Sequence, residues 1–537
     1  MSKPKVYTML LGGAGEEVTG SSTALKICVN GKEYFVIIDA GIVQGKEEAR
    51  NLRYPLNGVN LDFVIVTHAH ADHFLGLPLL KNYAGKIYGT KEAFTLGYEL
   101  MLDGVKSNVI NAAAEYGFTA EAYYQMLRDM ENIRKRFNGV DPSNYEQYKD
   151  YKSIVEAINE IESHVLYSYE DVENIRRHFC PTIPLEFFVI AKGVYGRFVP
   201  TSHQYGAVSV EIYVGELNGQ DSVNLCFSGD LGPSDSLLYR EMEPEQNPLV
   251  HYAWLESTHG IEERDQSSLQ VYRFLKNRAF KTLKRHGTQI WLVHSLDRSA
   301  KVLFLMNCLI DETNISIPVC FDTPLGHREL MHYQNFYADR NNLWSGDLGK
   351  NPFDDRESIV CDRHADHIEA MQMEGAKIII TASAFGEGGR ALDYFDRFIQ
   401  DENAEFIFAS WLSPDCASYK LLHAERGELI ELNGKNYVKQ CKTFQVTGLT
   451  SHAYYPEYAS YLERFTNLKG VILNHGSREA KEELLQRLQE EHDFTITIPE
   501  LYDDGREKSF FAMNCEEMIP ISSLEGYQIF APIMINR

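Results

Sequence analysis

The sequence predicts an α/β chain of two or more domains, and three features carry that expectation. Between about Tyr252 and Trp411, short apolar runs alternate repeatedly with helical periodicity, the pattern of a parallel sheet covered by helices. The first ninety residues instead alternate β-rich runs with glycine-rich turns, the pattern of hairpins in an antiparallel or mixed sheet. Finally, 537 residues are too many for one ordinary hydrophobic core.

Taken in order, the early strands are VYTMLL, STALKICV, EYFVIIDA, FVIVTHA and KIYGT. From about Lys91 to Phe179 the grammar changes to long helical periodicity with few turn breakers, as in EAYYQMLRDMENIRKRF, which reads as a helical insertion. Strands resume at EFFVIAKG, RFVP, VSVEIYVG and VNLCFSGD. The parallel block then runs from YAWLEST through TQIWLVHS, IPVCFD and KIIITASA to EFIFASW, with a helical segment after each strand. Beyond it, GELIELNGKNYVKQCKTFQVTGLTSH reads as a return to hairpins, and GVILNHGSREAKEELLQRLQEEH as a closing strand and helix. The last stretch, from YDDGREK onward, is able to finish a sheet, to mediate self-association into a homo-oligomer, or both.

Composition narrows the class. With 44% hydrophobic and 24% charged residues the chain reads as globular, and no apolar run approaches the ~18 residues of a membrane span. The N-terminal apolar stretch is too short, and too soon followed by glycine, for a secretory signal, so a soluble, cytoplasmic chain is expected. Nine cysteines, none in a CxxC pair, read as reduced buried thiols. A net charge of −24 repels polyanions at long range and disfavours nucleic-acid binding by the whole surface, though not by a local cationic groove. The compact basic run Arg134, Lys135, Arg136 reads as the solvated face of a helix.

The chemistry is concentrated at strand ends. HAHADH, His68 to His73, follows the strand FVIVT and puts four ligand-capable side chains, His68, His70, Asp72 and His73, on one short loop. Neutral imidazole and carboxylate are ligands that zinc accepts, and four of them suit two ions if further ligands come from elsewhere, one carboxylate being shared. Such residues close other apolar strands: Asp39 in IIDAG, His203 after RFVPTS, Asp230 in CFSGD and His475 in VILNHG. Singly each reads as a turn or cap residue; together they read as a metal centre. HADH recurs at His364 to His367 in a helix-like stretch. His364 and His367 share a helix face there, but no ligand-bearing strand end is associated with them, and solvated surface is the better account.

IDAG, THAHADH, SHQYGA and FSGDLG resemble motifs one to four of the metallo-β-lactamase fold, and LESTHG, LTSHAYYPEYASYL and VILNHGS resemble motifs A, B and C of its β-CASP branch. These are seven motifs in order over nearly the whole chain; LYSYEDVENI is also similar to the family's connector before motif three, and DAGIVQG to its first-motif segment. The resemblance implies a four-layered αββα metallo-β-lactamase domain with an inserted parallel α/β β-CASP domain. The divisions become 1–245, with the helical insertion at about 91–180, then 246–435 for the insert and 436–537 for the closing part. It also implies two zinc ions, one on His68, His70 and His203, the other on Asp72, His73 and His475, with Asp230 shared and Asp39 behind the ligands.

The implied activity is hydrolysis of RNA by a hydroxide held between the two ions. Asp72, Glu256 and His452 are assigned to the reaction, His452 as proton donor or phosphate contact beside Glu256. A histidine at motif C, here His475, is similar to the RNA-processing members, whereas the DNA-repair members carry valine. Arg298, and Gly388, Gly389 and Arg390 at the start of a helix, are candidate phosphate contacts. The pattern departs from the family in TSHQYGA, in His259, and in LVHSLDR and SWLSPDCASYKLL, which bears on specificity more than on hydrolysis. Two other readings share the motifs: a small-molecule metallohydrolase of esters, lactones or cyclic phosphodiesters, and a catalytically silent scaffold subunit. The insert and His452 count against the first, the full ligand set against the second.

Overall fold

The computed structural model describes residues 3–136, 149–217, 219–239, 247–261, 263–338, 351, 353, 358–502 and 509–534. Two compact units are present. One comprises Met1–Gly89, Gly97–Thr182 and Pro499–Arg537, the other Thr90–Leu96 and Ile183–Ile498.

The first unit is built on an eight-stranded mixed sheet. Lys5–Gly12, Ser22–Val29 and Lys32–Ile38 form an antiparallel meander, as the hairpin pattern predicts. Asn30 and Gly31, with φ of 53° and 73°, turn its second hairpin, and such backbone favours Asn-Gly. Phe63–Ile65, Lys86–Gly89 and Phe179–Pro181 then add in parallel. On the other side, Phe510–Met513 pairs with Lys5–Gly12 and Met518–Pro520 continues the edge, so the last stretch of the chain does finish a sheet. The helical insertion is realised as Lys91–Glu115, Ala120–Arg136, Lys149–Ser163 and Tyr169–Arg176. The last of these starts at a capping box: the Asp171 amide donates to Ser168 Oγ at 3.3 Å, and the Ser168 amide to the Asp171 carboxylate at 2.8 Å. Arg134, Lys135 and Arg136 close the second helix, and their side chains lie outside the described residues.

The second unit holds two larger sheets. In the seven-stranded one, Phe187–Ala191, Val194–Pro200, Val208–Val214 and Val223–Phe227 are antiparallel neighbours. Tyr252–Glu256, Gly470–Asn474 and Thr495–Thr497 follow in parallel. The six-stranded sheet is parallel throughout, in the spatial order Ser358–Val360, Val319–Asp322, Lys377–Thr381, Thr288–Leu292, Ala404–Phe408, Lys442–Gln445. Its central strands are buried along their whole length, which explains their apolar runs IWL, III and FIF, although Gln289, Lys377 and Glu405 are buried with them. Two strands depart from the sequence reading: Tyr252–Glu256, read as opening the parallel block, lies in the seven-stranded sheet. Lys442–Gln445, expected in a hairpin, is instead the parallel edge strand, and the hairpin is confined to Leu429–Leu432 and Lys435–Val438. A short, half-exposed edge strand carries no local sign of its partner's direction, which only the fold supplies.

All nine cysteines are unpaired and six are buried, the state expected from their spacing. Among the described residues, no helix is long and apolar enough to cross a membrane.

Candidate metal centre

In the first unit the parallel pairing of Lys32–Ile38 with Phe63–Ile65 brings the residues after both strands to one edge. There the Asp39 amide donates to the Ile65 carbonyl at 2.8 Å, with Asp39 at φ 58°. Its carboxylate accepts from the Thr67 amide at 2.7 Å and from the Thr67 hydroxyl at 2.8 Å, and Oδ2 lies 2.8 Å from His73 Nδ1. The carboxylate thus fixes the Nδ1–H tautomer of His73 and leaves Nε2 as the donor toward a metal. Thr67 repeats the device. Its one proton goes to Asp39, so toward His68 Nδ1, 2.9 Å away, the hydroxyl oxygen accepts, and His68 is left with a bare Nε2. That nitrogen lies 3.2 Å from Nδ1 of His70. Asp72 and His73 sit on the one-turn helix Ala71–Phe74, with Asp72 Oδ2 4.0 Å from His73 Nε2. Gly41 packs against this turn so closely that a Cβ there would overlap the carbonyl of Asp72.

In the second unit the seven-stranded sheet gathers the other residues at a single edge. Phe227, Glu256 and Asn474 end neighbouring parallel strands, and Pro200 ends a strand running in the same direction, beyond the antiparallel Val208–Val214, at the same side. The loops that follow carry Asp230, His475 and His203. His203 is fully buried, its Nδ1 donating to the Ser451 carbonyl at 2.7 Å and its Nε2 3.4 Å from Asp230 Oδ2. His475 Nδ1 lies 3.1 Å from the Thr258 hydroxyl, and its Nε2 is 3.6 Å from the same Asp230 oxygen. Two imidazoles with their outer nitrogens held, both turned onto one carboxylate oxygen, make a donor set that fits a shared metal ligand. Gly232 permits this packing, since a Cβ on it would overlap the backbone of Ser202 and His203.

Gly232→Ala is therefore expected to push His203 away from Asp230. The strain should cost about 1–3 kcal/mol of stability and lower bound zinc. Chemical denaturation together with metal analysis checks this; parental values of both would contradict it.

His452 lies beside this cluster. Its Nδ1 is 3.3 Å from Glu256 Oε1 and 3.9 Å from Asp230 Oδ2, and its ring centroid is 4.7 Å from that of His203. Glu256 is fully buried and accepts from the Thr258 amide and the Tyr458 hydroxyl, both at 2.9 Å. Burial by itself would raise its carboxyl, but His452 beside it, by charge and by hydrogen bond, brings the net value below the ordinary carboxylate range. His259, where the sequence departs from the family, stacks on Tyr454 with centroids 4.6 Å apart and lies 2.9 Å from the Thr450 hydroxyl.

Of the candidate phosphate contacts, the two arginines make hydrogen bonds within the protein. Arg298 donates to the carbonyl of Ala409, and Arg390 to Asp322 and to the carbonyls of Cys361 and Asp362. Gly388 and Gly389 form the turn before the helix Ala391–Phe398, with open space around both. The second HADH corrects the sequence reading. His364 is exposed, as expected for surface, but His367 is fully buried. Its Nδ1 is 2.7 Å from Asp322 and its Nε2 3.1 Å from Asp393, so both ring nitrogens face carboxylates. Asp322 closes the strand Val319–Asp322, a strand end that sequence order gives no reason to associate with this helix.

Sequence reasoning missed Thr67, Tyr458 and the two packing glycines. Thr67 directly precedes the histidine string, and a hydroxyl beside a ligand pair is a usable signal; Tyr458, Gly41 and Gly232 are known only from what they touch.

Three family models match parts of this chain. Residues 18–93 match the model of the metallo-beta-lactamase superfamily, 300–417 that of the Beta-Casp domain, and 436–499 that of the Zn-dependent metallo-hydrolase RNA specificity domain. Among curated proteins, the transcription termination factor FttA of Cenarchaeum symbiosum is 23% identical over 90% of this chain and 68% of its own length. A ribonuclease of Thermus thermophilus is 22% identical over 87% of this chain and 92% of its own. Integrator complex subunit 11 of Danio rerio is 22% identical over 91% and 72%. With three family models matched in order along a chain whose strand ends carry the histidine and aspartate donors, this protein belongs to the β-CASP branch of the metallo-β-lactamase superfamily.

Proposed function

We propose that this protein is a zinc-dependent ribonuclease that hydrolyses RNA phosphodiester bonds. The observation that carries the reading is the convergence of His203 and His475 on one oxygen of Asp230, with the His452–Glu256 pair alongside. His68, His70 and His203 would hold one zinc ion, Asp72, His73 and His475 a second, with Asp230 shared between them. Zinc held by these residues would supply hydroxide at neutral pH and offset charge that develops on a phosphoryl oxygen.

The chain's own residues do the rest. Asp39 and Thr67 hold the tautomers of His73 and His68, and the Ser451 carbonyl and Thr258 hold those of His203 and His475. His452 gives a proton to the departing sugar oxygen, and the carboxylate of Glu256, kept charged, orients the imidazole. Asp72 serves the reaction through the ligand set. The division at 246 and 435 is proposed with it: the matches at 18–93 and 436–499 fall in the hydrolase parts and that at 300–417 in the insert. RNA as substrate is supported by His475 in VILNHGS, by the RNA specificity match over 436–499, and by the Thermus relative that is named a ribonuclease.

Incubation of the metal-loaded chain with end-labelled RNA, end-labelled DNA and a panel of chromogenic esters tests the proposal. RNA cleavage with about two zinc ions per chain is the expected result. Ester turnover without RNA cleavage would replace it with the small-molecule hydrolase reading, and a zinc-replete chain inert on every substrate with the scaffold reading.

A further inference from the structure

The strand Thr288–Leu292 of the six-stranded sheet is followed by a turn in which Asp297 takes φ 61° and leads into the helix Arg298–Thr313. Asp297 and Lys301, one helical turn apart, are both buried, and Lys301 Nζ lies 2.8 Å from Asp297 Oδ2. Withdrawing two such charges from water is costly, and a buried pair of this kind is weak evidence for stability by itself. Its surroundings suggest what it does. The Ser451 hydroxyl donates to Asp297 Oδ2 at 2.5 Å and accepts from Lys301 Nζ at 2.9 Å. The Asp297 amide donates to both oxygens of Glu329, at 2.8 and 2.9 Å, and its Oδ1 accepts from the Tyr239 hydroxyl, so the carboxylate is held in place from several elements.

Ser451 is thus gripped by a cation and an anion at once, and it is the residue whose carbonyl receives the Nδ1 proton of His203. The next residue is His452. We propose that Asp297 and Lys301 are positioning residues: by clamping Ser451 they hold His203 with Nε2 turned to Asp230, and set His452 against Glu256. No direct contact with substrate is involved. The clamp spans far in sequence, 150 residues between Lys301 and Ser451, and so ties the insert to the loop that carries His452. This inference rests on the zinc site proposed above for its consequence, though not on the choice of RNA as substrate.

The full-length chain tests it through zinc affinity, measured by competition with a chromogenic chelator, alongside kcat and KM on labelled RNA and thermal melting. Single changes would leave a buried charge unpaired, so the double variant Asp297→Leu, Lys301→Met, which removes both, is the main test. The expected result is a folded protein whose zinc affinity and kcat fall about 10- to 100-fold, with KM within twofold of the parent. Ser451→Ala keeps the carbonyl but loses the clamp and should move in the same direction; it decides the matter should the double variant not fold. Parental zinc affinity in a folded variant, with only the melting temperature lowered, would overturn the proposal and make the pair structural. A parent that binds zinc but cleaves no RNA fails the ribonuclease reading alone, while the zinc comparison still decides this one.

Discussion

Asp230→Asn is expected to lose zinc and to lower RNA cleavage more than about a hundredfold, beyond the 10–100-fold range typical of residues that merely support ligands. The aspartate oxygen Oδ2 faces the Nε2 atoms of both His203 and His475, at 3.4 and 3.6 Å, so two ligands of different proposed ions depend on this side chain. Asparagine preserves the shape but removes the negative charge, and it can present an NH2 where two lone pairs already point. A hundredfold loss corresponds to about 2.7 kcal/mol of transition-state stabilisation. Metal analysis after dialysis and kcat/KM on a labelled RNA check the expectation; a variant with parental zinc content and parental rate would contradict the assignment of Asp230.

His452→Ala should separate metal binding from chemistry. With its ring removed, kcat is expected to fall about 10²–10⁴-fold, the usual contribution of a positioned general acid, while zinc content stays at the parental value. A further readout identifies the proton's destination. An activated phosphodiester with a p-nitrophenolate leaving group needs no protonation on departure, so the variant should lose much less on that substrate than on RNA. An equal loss on both would reassign His452 to phosphate contact, and loss of zinc would make it part of the ligand shell. Glu256→Gln should resemble His452→Ala in direction, because it takes away the charge that holds the imidazole.

The candidate metal donors were legible because strand ends are a local property. Apolar runs ending in His or Asp can be recognised in VIVTHAHADH, CFSGD and VILNHG without knowledge of the partners, and a sheet then delivers such ends to one edge. The strand-then-helix grammar from Thr288 onward announced the parallel sheet for the same reason, whereas Tyr252–Glu256, read with it, belongs to the seven-stranded sheet. Where a residue's meaning came from a distant neighbour, the sequence reading failed or was silent. His367 looked like surface because its partners Asp322 and Asp393 stand 45 and 26 residues away. Lys442–Gln445 looked like half of a hairpin because an edge strand does not declare its direction.

By itself, then, the sequence determined the α/β class, the unpaired cysteines, the family and the residue types of a candidate metal centre, all of which follow from periodicity, spacing and short motifs. Tertiary structure alone decided which nitrogen each imidazole offers, that Asp230 receives two histidines, that Gly41 and Gly232 leave no room for a side chain, and that a buried Asp297–Lys301 pair holds Ser451. The physical reason is range. Propensity and pattern act over a few residues along the chain, whereas tautomers, close packing and paired charges are set by groups brought within about 3 Å across it.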